Sequence, residues 1–122
     1  MKKILLIVSI CLFISCKNDQ AKETGSNVSK NSVDLGQELF EGKGNCIACH
    51  LVDKKVIGPS IQDIAKIYKT QNGSLIDFLK NDAKPIVDPS QYEVMKTNFS
   101  ITKAMSDEEL KALEVYIYTF LK

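Results

Sequence analysis

The chain's only histidine, His50, directly follows Cys49 and stands four residues after Cys46. Two thiols and an imidazole within five positions, in the run GNCIACHLVDKKVIGPS from Gly44 to Ser60, admit three chemistries. A dithiol redox pair would use Cys46 and Cys49, but pairs of this spacing belong in a βαβ context. A zinc site needs four ligands, and adjacent residues such as Cys49 and His50 chelate one ion poorly. The third is covalent attachment of a c-type haem, for which C-x-x-C-H is the signature. The two intervening residues let a single helical turn present both sulfurs along one edge of the macrocycle, where each thiol adds across a vinyl group. The histidine then swings beneath the ring so that its imidazole can ligate iron.

The elements that would carry this motif read as helices. DLGQELFEG opens with Asp34 as N-cap and Gln37 three residues later, with Leu35, Leu39 and Phe40 on one side. SIQDIAKIY opens with Ser60 and repeats Ile61, Ile64, Ile67 and Tyr68 at helical spacing. SLIDFLKN opens with Ser74 and carries Leu75, Ile76, Phe78 and Leu79. In SDEELKALEVYIYTFL, Ser106 and Glu109 form a capping box and acids crowd the first turn, while Leu110, Leu113, Ile117, Phe120 and Leu121 make one stripe. Residues 81–103, with Pro85 and Pro89, read mostly as loop. No segment alternates like a strand, so the βαβ context is missing. The expectation is an all-α domain over residues 34–122, small enough to gain from a covalent staple such as haem.

ELFEGKGNCIACHLVDKKVIGPSIQDIAKIY resembles the class I cytochromes c, in particular the small monohaem kind of the bacterial periplasm. Gly36, Phe40 and C-x-x-C-H match that family's pattern, as do Gly58 and Pro59, where a GP follows the histidine by about nine residues. The resemblance covers essentially the whole of 34–122. It implies about four helices packed around one covalently attached haem c. It also implies that Gly36 lets the first and last helices approach, with Phe40 and Tyr116 in contact where they cross. Pro59 would accept a hydrogen bond from His50 Nδ1 through its carbonyl, fixing the tautomer. As bare sequence, Gly58–Pro59 is a turn ahead of a helix.

The family usually completes the iron with a methionine, and the domain has Met95 and Met105. Met105 directly precedes the N-cap Ser106, with Leu110 at N4, a hydrophobic-staple position that gives it a packing role. Met95 lies in the stretch before the last helix, where the family places its ligand, and Asn98 follows three residues later as the family's Asn does. Lys96 stands where the family usually has Pro. The ligand set expected is His50 and Met95, with a vacant sixth position as the rival. Tyr68 and Tyr92 are both candidates to bond a haem propionate. Lys96 and Lys103 read as solvated loop charges.

Ahead of the domain, MKK is followed by the apolar run ILLIVSICLFIS, too short to span a bilayer and typical of a signal h-region. FISC at residues 13–16 resembles the lipobox of bacterial lipoproteins, which implies cleavage after Ser15 and lipidation of Cys16. Residues 1–15 are then a signal peptide and 16–33 a lipidated, polar, flexible tether with a reach of roughly 20–25 Å. Cys11 is removed with the signal, leaving Cys46 and Cys49 for the domain. The 16 basic residues are all Lys and the acids number 15, so nothing favours nucleic acid. No acid–base pair or activated nucleophile is evident, so neither an enzyme nor a small-molecule substrate is expected. The expectation is a monomeric electron carrier, lipid-anchored in the periplasm or cell envelope, meeting redox protein partners. Two rivals stand beside it: a haem protein whose open site binds diatomics or peroxide, and a haem subunit of a larger complex.

Overall fold

The computed structural model describes residues 24–122, with side-chain detail from residue 31. The signal peptide expected over 1–15 and the lipidation site Cys16 lie outside the described residues. Among those described, the regular structure is helical, and one isolated antiparallel bridge pairs His50 with Lys55. Six α-helices follow in order: α1 (Thr24–Glu41), α2 (Ile61–Thr70), α3 (Leu75–Leu79), α4 (Tyr92–Lys96), α5 (Phe99–Thr102) and α6 (Asp107–Tyr118). Single 3-10 turns occupy Cys46–Ala48 and Pro89–Gln91.

Serines start three of these helices. Ser60 and Ser74 accept from the backbone N–H of Asp63 and Asp77, and Ser106 closes a reciprocal capping box with Glu109. Asp107, Glu108 and Glu109 in the first turn of α6 oppose the positive end of its dipole. The stripe of α6 is buried at Leu110, Leu113 and Ile117, whereas Leu121 falls beyond the helix and is exposed.

Three readings need correction. Asp34 is not an N-cap: it lies inside α1, and Gln37 donates to Glu41 instead of folding back. Residues 24–33, expected in the tether, are helical. Only Gly25 in that run disfavours helix strongly, and Val33 and Leu35 pack against the core, so the helix has a folded end to grow from. Residues 81–103 are not mostly loop, since they contain α4, α5 and the turn at Pro89–Gln91. Pro85 and Pro89 both lie ahead of α4 and α5, with Pro89 opening the 3-10 turn, so neither interrupts a helix.

The frame is the crossing of α1 and α6. A Cβ at Gly36 would run into the Ala112 carbonyl oxygen and stand 2.6 Å from Tyr116 Cβ, so only glycine permits this approach. Phe40 and Tyr116 meet there with ring centroids 5.6 Å apart. Ion pairs from Lys43 and Lys80 hold the start of α6 to the turn after α1 and to the end of α3. The helix α2 packs its Ile61, Ile64 and Tyr68 face into the same core.

Candidate functional site

The motif lies in the turn that leaves α1. Gly42 and Gly44 donate back to Glu38 and Leu39, ending the helix, and Asn45 takes a left-handed φ of 49°. Cys46 then opens the 3-10 turn, and its carbonyl accepts from the N–H groups of both Cys49 and His50. One turn therefore presents the two thiols and the imidazole together. Both thiols are free. Burial pushes the Cys46 thiol up to about 11, with the neighbouring Cys49 adding to the shift and the backbone opposing it.

His50 Nδ1 lies 2.8 Å from the Pro59 carbonyl oxygen. A carbonyl only accepts, so Nδ1 carries the proton and Nε2 keeps its lone pair. Burial lowers the imidazole's affinity for a second proton, while the bond to Pro59 works the other way. The result is a neutral imidazole with one nitrogen held and the other available. Gly58 is the floor beneath this ring. A Cβ there would overlap Cε1 and come within 2.7 Å of Nδ1. Backbone bonds from Gly58 to Cys49 and from Ile61 to Leu51 hold the loop in this shape.

Cys46, Cys49, His50 and Met95 line one cleft. Its walls are mostly apolar, with Leu75, Phe78, Ile86 and Val87 among them. Met95 is half-buried and packs against the core from α4. Met105 is 6% exposed, lies in the core, and does not line the cleft. Tyr68 and Tyr92 both line it; the Tyr92 hydroxyl donates to Asn81, and burial raises the Tyr68 phenol. Lys96 pairs with Glu93 and stands over the Tyr92 ring, and Lys103 is exposed. Among the described residues no group of three or more His, Cys, Asp or Glu could hold a metal ion.

Three bonds around the cleft were not legible as site features. Lys55 pairs with Asp88 at 2.6 Å, joining the loop after His50 to the wall before α4. Asn98 Nδ2 donates to the Gly44 carbonyl at 3.0 Å, and Tyr92 donates to Asn81. Each joins residues far apart in sequence, where no local pattern marks the partner. Asn98 had a signal in its place three residues after Met95, and Tyr92 was a candidate for a propionate, not for Asn81.

An apolar cleft edged by two thiols and an available imidazole nitrogen, and open to solvent, fits a flat, apolar, covalently attached macrocycle with a metal at its centre. That defines a c-type haem protein with an all-α fold. The sequence profile of the cytochrome c family matches residues 33–120. The chain is 37% identical over 87 residues to cytochrome c-551 of Pseudomonas denitrificans, covering 69% of this chain and 95% of the relative. It is 33% identical over 82 residues to cytochrome c-551 of Pseudomonas aeruginosa, covering 65% of this chain and 70% of that one. A shorter stretch of 26 residues is 62% identical to cytochrome c-552 of Nitrosomonas europaea, covering 21% of this chain and 25% of the relative. This chain belongs to the cytochrome c family, and its cofactor is covalently bound haem c.

Proposed function

We propose that this chain is a one-electron carrier in the bacterial cell envelope, with iron held between His50 Nε2 and Met95 Sδ. The observation that carries the reading is that an imidazole with a committed Nδ1 and a thioether share one apolar cleft with both cysteines. Haem c, when bound, supplies an iron that takes up and gives back a single electron. Cys46 and Cys49 would hold the group through two thioethers. Pro59 and Gly58 orient the His50 ring from its far side. Met95 would supply the second protein ligand to the iron, leaving no coordination site for a substrate. A thioether also favours the ferrous state and raises the potential relative to two imidazoles. The apolar walls keep water from the iron and work in the same direction.

Ile47, Val52 and Ile57 are 47%, 40% and 51% exposed beside the cysteine turn. They give a redox partner an apolar place to meet the cofactor edge, as weak, transient docking requires. No helix among the described residues is long and apolar enough to cross a membrane. The attachment to a membrane is a lipid on Cys16, with the domain carried outside the cytoplasm.

Two experiments test this. Carbon monoxide added to the ferrous protein is expected to leave the visible spectrum unchanged, and a new ligand-bound spectrum would put the open-site reading first. Cells grown with labelled palmitate are expected to label the wild type and not Cys16→Ser. Equal absence of label from both would remove the anchor.

A further inference from the structure

Met95 rides on α4, and α4 does not hold its own place. Five residues are too few for a stable helix, and none of them is buried. Its position must come from side chains that tie the segment to its neighbours. The Lys55–Asp88 pair lies seven residues ahead of Met95, with Lys55 more than half exposed, where salt screens it. Three residues after Met95, Asn98 reaches the Gly44 carbonyl at the cysteine turn. Three residues before it, on the same helix face, Tyr92 places its hydroxyl 2.8 Å from Asn81 Oδ1. The Tyr92 ring packs against Phe78 and Phe99 at centroid distances of 6.4 and 6.1 Å, and those two rings also meet each other. Asn81 stands two residues past α3 in a left-handed conformation with φ 63°, and its N–H is bonded to Phe78. The acceptor is thus fixed on α3, itself packed into the core through Leu75 and Leu79.

We propose that Tyr92 is a positioning residue for Met95. Its hydroxyl on Asn81 fixes the start of α4, and with Asn98 at the other end it brackets the thioether. This rests on the reading of Met95 as the distal ligand. Without the hydroxyl or its acceptor, the first turn of α4 lifts and an added ligand competes with Met95 more easily.

The test is imidazole titration of the ferric holoprotein, followed by loss of the far-red methionine–iron band. Tyr92→Phe keeps the ring and removes the hydroxyl. Asn81→Gly removes the acceptor and keeps the left-handed backbone. Each is expected to raise apparent imidazole affinity about two- to tenfold, the span of one net hydrogen bond. The double variant is expected to go no further than either single one, because both remove the same interaction. Unchanged affinity with a lowered thermal midpoint would make Tyr92 merely structural and overturn the proposal, as would additive effects. Met95→Ala separates the two layers. If it keeps the wild-type band, the ligand reading fails and this inference with it. If it loses the band while Tyr92→Phe titrates as wild type, only the role of Tyr92 fails.

Discussion

His50 shows how much one residue depends on its two neighbours in space. The Pro59 carbonyl accepts a hydrogen bond from its Nδ1–H, and Gly58 leaves room for its ring. Gly58→Ala must therefore move the imidazole off its bond to Pro59. Overpacking of this kind costs about 1–3 kcal/mol, and here the displaced group is the proposed iron ligand. The expected outcome is a high-spin contribution in the ferric spectrum together with a lower unfolding midpoint, and a wild-type spectrum would show that the loop relaxes instead. Thr102 is the residue no sequence pattern marked. It is fully buried, and its hydroxyl donates to the Leu79 carbonyl at 2.6 Å, tying α5 to the end of α3. Thr102→Val is isosteric and leaves that carbonyl without this donor. A loss of about 1–3 kcal/mol in denaturant unfolding is expected. The cysteines and histidine could be read from the sequence because their chemistry requires adjacency in the chain. Thr102, Tyr92 and Asn98 find partners 11 to 54 residues away, and only folding brings those together.

Among the elements, legibility follows length and capping. The starts of α2, α3 and α6 were readable because a serine with an acceptor role announces each. The helices α4 and α5 were not, since helices of five and four residues carry no full apolar period and exist through tertiary ties. The start of α1 was placed ten residues late at Asp34, because a capping residue inside a running helix looks the same in sequence as one at its beginning. Gly36 was readable through the family pattern, and its reason is the Ala112 carbonyl and Tyr116 across the crossing. Gly36→Ala gains helix propensity, about 1 kcal/mol, yet forces α1 and α6 apart. The clash should win, giving a net loss in thermal unfolding of the holoprotein. A net gain would mean that the crossing yields without cost.

At the scale of the whole molecule, ion pairs reinforce the joins between elements, two of them where the core already packs α6 against α1 and α3. Hydrogen bonds from Lys55, Lys80 and Lys43 hold Asp88, Asp107 and Glu109 below the ordinary carboxylate range. Each folded-state pKa is therefore lower than the unfolded one. The unfolded chain binds more protons between the two values, so this stabilisation is complete above the unfolded pKa, near 4, and is lost as pH falls through the folded ones. Asp107 is exposed and Asp88 and Glu109 are only partly buried, so the effect is modest and salt-sensitive. Unfolding midpoints between about pH 2 and 6 should fall with pH, and less steeply in high salt. A profile independent of salt would assign acid sensitivity to other groups.

Ligation of the iron by Met95 decides between an electron carrier and a protein with an open site. The measurement is the far-red charge-transfer band of ferric wild type, Met95→Ala and Met105→Ala. The account predicts the band in the wild type, its loss in Met95→Ala and its retention in Met105→Ala. A band that survives in Met95→Ala, or a high-spin wild type that shifts on adding cyanide, would contradict it.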